Sequence, residues 1–220
     1  MTKKKKDDDM LVLFTPICRS KWNHLNEPDE YKGQKNFKTE LVMDDDQLDE
    51  FGREKIEEAI DAFYEETKAD LEESLKGRKL KKALDELDKA YPWTEEEDED
   101  GEETGDYIVR FKSGPNKKGK RRFPIVDAQG EKTDVLVFGG SKLRVKTYVK
   151  PYYMGSTGKV GVTLYIQGVQ VVELAGGDGA DQDPGFGAVE GGWTDDGSHS
   201  DDMDDNDDAD DEDDEGHDDF

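Results

Sequence analysis

The sequence has a single cysteine, Cys18, so no internal disulfide can form. Its three histidines, His24, His199 and His217, lie far apart. With one thiol they offer neither a zinc cluster nor a nucleophile with its base. No apolar run approaches the ~18 residues that a membrane helix needs. The first ten residues are Lys-rich and then Asp-rich, without the apolar stretch of a secretory signal. Hydrophobic residues make up 32% of the chain and charged residues 40%, so part of it cannot bury enough apolar surface to offset its ordering entropy. Basic residues are missing altogether from residues 176–220, which hold 20 Asp and Glu. These absences exclude a disulfide scaffold, a zinc module and a membrane-spanning helix. They predict one domain in a reducing cytoplasm, with no cofactor and no metal.

The net charge of −26 hides a contrast. Residues 107–175 carry 13 Lys and Arg against 4 Asp and Glu. A basic lobe of that density calls for an anionic partner, whatever the global balance.

The pattern along the chain predicts a mainly β fold with a helical insert. Residues 1–9 read as a disordered charged arm. Residues 10–16 and 36–43 read as strands. A helix capped by Asp45 or Asp46 carries Leu48, Phe51, Ile56, Ile60 and Phe63 at helical spacing, and fades near residues 75–77. A shorter helix is expected over residues 80–90, so the insert covers about 46–90. An acidic loop over 95–106 returns the chain to β structure. Strands are then expected at 107–112, 121–127, 135–138, 141–150 and 159–174, with Gly168 at a bulge. Short strands around one helical insert suggest a small OB-like five-stranded barrel over residues 10–175. Residues 176–220 have no periodicity and read as a disordered acidic tail.

The sharpest chemical signal is the run from Lys142 to Lys150. Strand side chains alternate faces, so Lys142, Arg144, Lys146, Tyr148 and Lys150 share one face, and Leu143, Val145, Thr147 and Val149 the other. Four cations on one strand face repel unless an anion neutralises them. A solvated edge strand using lysine against aggregation would look similar, but it has no need of the aromatic ring inside the row. Phosphates along a flexible strand fit the charges and a base fits the ring. Tyr152 and Tyr153 follow at the strand end, placed to stack on bases, with one of the two expected to pack inward. Trp22, Trp93, Tyr107 and Phe111 are weaker candidates. Lys117, Lys118, Lys120, Arg121 and Arg122 form a second basic patch in a turn. Residues 114–120 nearly spell a phosphate-binding loop, but Arg121 stands where Ser or Thr is required, and no helix follows. One copy of a calcium-binding repeat pattern at residues 176–181 has no array to belong to.

The tail ends in Asp218, Asp219 and Phe220. Its charge imitates nucleic acid, and tethering gives it a high effective concentration at a basic groove. A phenylalanine behind acids suits a basic pocket with an apolar floor.

Over residues 139–146, 149–152 and 160–174 the sequence resembles the single-stranded-DNA-binding replication proteins of T-seven-like short-tailed bacteriophages. The likeness extends more loosely to residues 37–42, the helix around 56–64 and the tail. It implies an OB fold, binding without sequence preference, and roles in DNA replication, recombination and repair in the host cell cytoplasm. It further implies a tail that contacts DNA polymerase and primase-helicase, and a homodimer whose tails exchange between grooves. Tyr152 takes the family's stacking position and Phe220 its terminal aromatic. Tyr153-Met154 stands where the family has a basic residue and tryptophan, so Tyr153 becomes the second stacking residue. The acidic insert before Tyr107 has no counterpart in the family. Two other classes compete: an acidic DNA mimic acting on a host nucleic-acid-binding protein, and a nuclease, for which the β region supplies only Asp127, Glu131, Asp134 and Glu173.

Overall fold

The structure, a computed structural model, describes residues 10–98 and 100–176. The chain opens with β1 (Val12–Phe14), then the long hairpin of β2 (Cys18–Tyr31) and β3 (Gln34–Met43), turned at Lys32-Gly33. Three helices follow, α1 (Asp45–Phe51), α2 (Arg53–Ser74) and α3 (Gly77–Asp85). Next come β4 (Asp88–Ala90), β5 (Trp93–Glu97), β6 (Glu103–Ser113), the short β7 (Ile125–Val126) and the long pair β8 (Lys142–Met154) and β9 (Lys159–Glu173). The strands hydrogen-bond in the order β1-β8-β2-β3-β6-β9-β4, and β8 also pairs with β9. That last pairing closes β8, β2, β3, β6 and β9 into a five-strand barrel, the mainly β OB-like architecture expected from the pattern.

Alternation builds the core. Leu143, Val145, Thr147 and Val149 of β8 point inward, as do Val162, Leu164, Ile166 and Val169 of β9. The helical insert drives Leu48, Phe51, Ile56 and Ile60 into the same core. Phe51 meets Phe111 of β6 edge-on at 5.7 Å, an aromatic contact worth ~0.5–1.5 kcal/mol beyond its buried area.

Several expected boundaries move. The insert begins at Asp44, not Asp45 or Asp46: its carboxylate accepts from Gln47 N–H, and Gln47 returns the bond in a capping box. The expected single helix breaks at Gly52, whose φ of 112° is left-handed and ends α1 while starting α2. The helix expected over 80–90 is α3, displaced toward the N-terminus. Residues 88–90 leave it to pair in parallel with 159–161.

The acidic stretch 95–106 is no loop but contributes to the β5–β6 hairpin, because Glu96 is buried and neutralised by Lys21 at 2.9 Å and Arg19 at 3.7 Å. The strand expected over 121–127 shrinks to two residues, since Pro124 has no N–H to give a ladder. Residues 135–138 are not a strand. Asn26 donates to Val135 O and accepts from Val137 N–H, and Asn23 donates to Phe138 O. Side-chain amides there satisfy the backbone that a neighbouring strand would otherwise serve. Strand β2 had no sequence expectation at all. The expected bulge near Gly168 is present: Lys146 faces Gly168 while Thr147 faces Ile166, leaving Gln167 as the extra residue.

Cys18 lies in the core. Burial, aided by Asp44 and Glu50, pushes its thiol up to about 12. At neutral pH it therefore carries roughly three thousandfold fewer thiolates than an ordinary thiol with pKa near 8.5. A thiol-reactive dye at pH 8 is expected to leave the folded chain unlabelled and to label it fully in denaturant. Comparable rates in both states would contradict the burial. No helix among the described residues is long and apolar enough to cross a membrane.

Candidate nucleic-acid interface

The row on β8 is realised as alternation requires. Lys142, Arg144, Lys146 and Lys150 are exposed and Tyr148 half-buried, while the residues between them are buried. The cations are not equally available. Lys142 is bound to Glu173 at 2.6 Å, and Arg144 donates from Nε to the carbonyl of Thr15 at 3.3 Å. Lys146 lies 5.6 Å over the exposed ring of Phe14, and Lys150 6.0 Å over Tyr165. Each is steadied by one neighbour and keeps donors to spare.

Tyr148 is paired in register with Tyr165 of β9. Their rings stack at 5.1 Å and 14°. The bulge makes this possible. Lys159, Thr163 and Tyr165, all odd-numbered, face outward before the bulge; Gly168, Gln170 and Val172, all even-numbered, do so after it. One extra residue thus keeps both halves of β9 in phase with β8. Burial and the neighbouring Tyr165 raise the Tyr148 hydroxyl above its ordinary pKa, while the nearby Arg122 opposes this. Tyr148 therefore stays neutral and apolar-faced at physiological pH.

Two troughs open on this surface. The first, about 440 Å³, is lined by Arg122, Lys146, Tyr148, Tyr165 and the 113–114 turn. The second, about 600 Å³, is lined by Tyr152, Tyr153, Tyr91, Lys38, Arg110 and Lys112 among others. Tyr165 lines both. Tyr152 is half-buried and Tyr153 exposed, so neither is lost to the core as the alternation had suggested for one of them. In the second trough Lys38 is bound to Asp29 and Arg110 to Glu40. Lys112 has no ion-pair partner among the described residues.

The basic loop is built by Asn116. Its side-chain carbonyl accepts the N–H groups of Lys118 and Lys120, and its backbone bonds to Gly119 and Lys120 close the turn. The side chains of Lys117, Lys118 and Lys120 are left exposed. Arg121 is not spare in the same way: it donates to Phe123 O and Leu25 O and pairs with Asp134. Phe123 beside it packs edge-on against Phe37 at 6.0 Å. Arg121 and Phe123 thus anchor the loop. Arg122 is bonded through Nε to Pro115 O and faces the first trough.

Of the weaker aromatic candidates, Phe111 is core, Trp93 and Tyr107 pack against the core, and only Trp22 is open, at 64%. Sequence reasoning missed Tyr165, Lys112 and Tyr91. Tyr165 carried a faint signal: an outward position on the strand bound to pair with β8. The tail residues Asp218, Asp219 and Phe220 lie outside the described residues. No group of three or more His, Cys, Asp or Glu among the described residues is placed to hold a metal ion.

No family model matches the sequence, and no curated protein matches it. Solved structures do. A single-stranded-DNA-binding protein of bacteriophage Enc34, in complex with single-stranded DNA, aligns over 75% of this chain and 88% of its own, at 12% identity and a TM-score of 0.47. Similarity is greater to gp2.5, a single-stranded-DNA-binding protein encoded by bacteriophage T7, with 21% identity, a TM-score of 0.58, and coverage of 78% of this chain and 96% of that one. The chain thus has the fold of the gp2.5 protein of bacteriophage T7.

Proposed function

We propose that the protein coats single-stranded DNA without sequence preference, as a non-enzymatic component of phage DNA replication and recombination. The observation that carries this reading is the stacked pair Tyr148–Tyr165 set within an outward row of cations and opening into two troughs. A ring pair offers a face to any base, and a base–aromatic stack is worth about 1–3 kcal/mol. Lys142, Arg144, Lys146, Lys150, Arg122 and the loop lysines Lys117, Lys118 and Lys120 meet phosphates, while Arg121 holds the loop in place. Tyr148, Tyr152 and Tyr153 stack on bases.

The acidic tail competes for this surface when DNA is absent. When DNA displaces it, Asp218, Asp219 and Phe220 engage a DNA polymerase and a primase-helicase. The protein works as a homodimer in the cytoplasm of the infected host. Support for the DNA part comes from the surface chemistry, and the fold shared with gp2.5 is compatible with it.

A fluorescence titration with labelled oligo-dT at two salt concentrations is the test. If each of these eight cations neutralises one phosphate, log K falls with log salt at a slope of about −5.6. The DNA-mimic reading predicts no binding at either concentration, and that outcome would remove the proposal.

A further inference from the structure

Tyr91 sits in the two-residue link between β4 and β5, and its place is set from both sides. Upstream, Ala90 is in parallel register with Gly161 of β9. Lys89 is held by Asp61 at 2.6 Å and lies over the Tyr64 ring of α2. Downstream, the Pro92 carbonyl accepts the N–H of Arg110 at 3.0 Å. The Tyr91 ring stacks on Trp93 at 5.4 Å and 28°, and Trp93 packs against the barrel core. Yet Tyr91 is 45% exposed and lines the second trough. A ring braced on one side and open on the other fills no core. Preorganisation of this kind lowers the cost of binding, because little freedom remains to be lost.

Tyr152 and Tyr153 line the same trough, as do Thr163 and Tyr165 of β9. Gly161, beside Val162 of the lining, lets two of its neighbours approach. A Cβ at that position would come 2.4 Å from the Ala90 carbonyl and 3.0 Å from the Tyr152 hydroxyl. Only a bare backbone there lets β4 and Tyr152 both close on β9. Lys112, without an ion-pair partner among the described residues, stands at the same trough. The volume, about 600 Å³, is in the range of small-ligand pockets. Aromatic walls beside one uncompensated cation fit a flat ring joined to an anion. A purely apolar guest would leave Lys112 unmatched.

We infer that Tyr91 makes this trough a further nucleobase subsite: an unpaired base stacks on the open face of Tyr91, in the trough that Tyr152 and Tyr153 also line, and Lys112 meets the adjoining phosphate. The inference builds on the single-stranded-DNA reading and deepens it. It gives the strand a second station beyond Tyr148–Tyr165, reached across Tyr165, which lines both troughs.

The full chain is cross-linked by light to oligo-dT carrying 5-iodouracil, and the adducts are mapped by mass spectrometry. An adduct on Tyr91 is expected. In titrations Tyr91→Ala is expected to weaken binding about five- to a hundredfold with an unchanged salt slope, because the ring carries no charge. Tyr91→Phe is expected to retain affinity. If the unmodified chain binds oligo-dT but Tyr91 takes no adduct, the subsite is refuted while the broader reading stands. The subsite is equally refuted if folded Tyr91→Ala, checked by circular dichroism, binds within about twofold of the unmodified chain. If the unmodified chain does not bind at all, the broader reading itself has failed.

Discussion

Replacing Tyr148 and Tyr165 together with alanine is expected to lower the affinity for oligo-dT by two to three orders of magnitude. Each base–aromatic stack contributes about 1–3 kcal/mol, and every ~1.4 kcal/mol is a factor of ten. The two rings touch at 5.1 Å, so their losses should not simply add; either single variant should already cost most of what one stack supplies. The salt slope should stay as it was, since no charge is removed. A triple substitution of Lys112, Lys146 and Arg122 by alanine acts on the other quantity. With these three cations gone, three phosphates are no longer neutralised. The slope should then flatten by about 2, at roughly 0.7 per phosphate on a single strand. Measuring affinity at three or more salt concentrations for both variants separates the two effects. If the tyrosine pair changes the slope, or the cations change affinity equally at every salt concentration, the assignment of rings to bases and cations to phosphates is wrong.

Truncation after Ala175 is expected to tighten DNA binding, by about tenfold or more at low salt. The segment removed holds 20 acids and no bases, and a tethered competitor acts at about millimolar effective concentration. The sign of the salt effect follows from the competition. Salt weakens the tail's hold on the groove as well as the DNA's, so in the full chain one loss partly offsets the other. The truncated chain should therefore show the steeper slope, and the two binding curves should converge as salt rises. Titrations of both forms side by side would show it. Weaker binding after truncation, or a gain that does not shrink with salt, would rule out competition for the groove.

How much of this surface could be read beforehand depended on the range of the interactions that set it. The face of β8 was legible because alternation is local. Once residues 142–150 are a strand, Lys142, Arg144, Lys146, Tyr148 and Lys150 must emerge together. The insert was legible for the same reason, as its apolar residues recur at the helical period. Strand β2 was not. Its register slips between Ser20 and Asn23 and again between His24 and Asp29, and the polar ends of its pattern carry no period to detect. The acidic 95–106 stretch looked like a loop because its one buried acid, Glu96, is stabilised by Lys21 and Arg19 from a distant strand. Arg121 looked like a free cation for the mirror-image reason: its partners at Leu25 and Asp134 are distant in sequence or exposed on another turn.

The sequence by itself determined the chemistry on offer: a basic, tyrosine-bearing β region, a helical insert and a long polyanion. Local periods and charge density need only neighbours along the chain to be expressed. Tertiary structure alone decided which rings meet. Tyr165 faces Tyr148 because one extra residue at Gln167 rephases β9. Tyr91 reaches the second trough because Gly161 lets β4 lie against the same strand. Both depend on register between segments far apart in sequence, and register is fixed by pairing and packing.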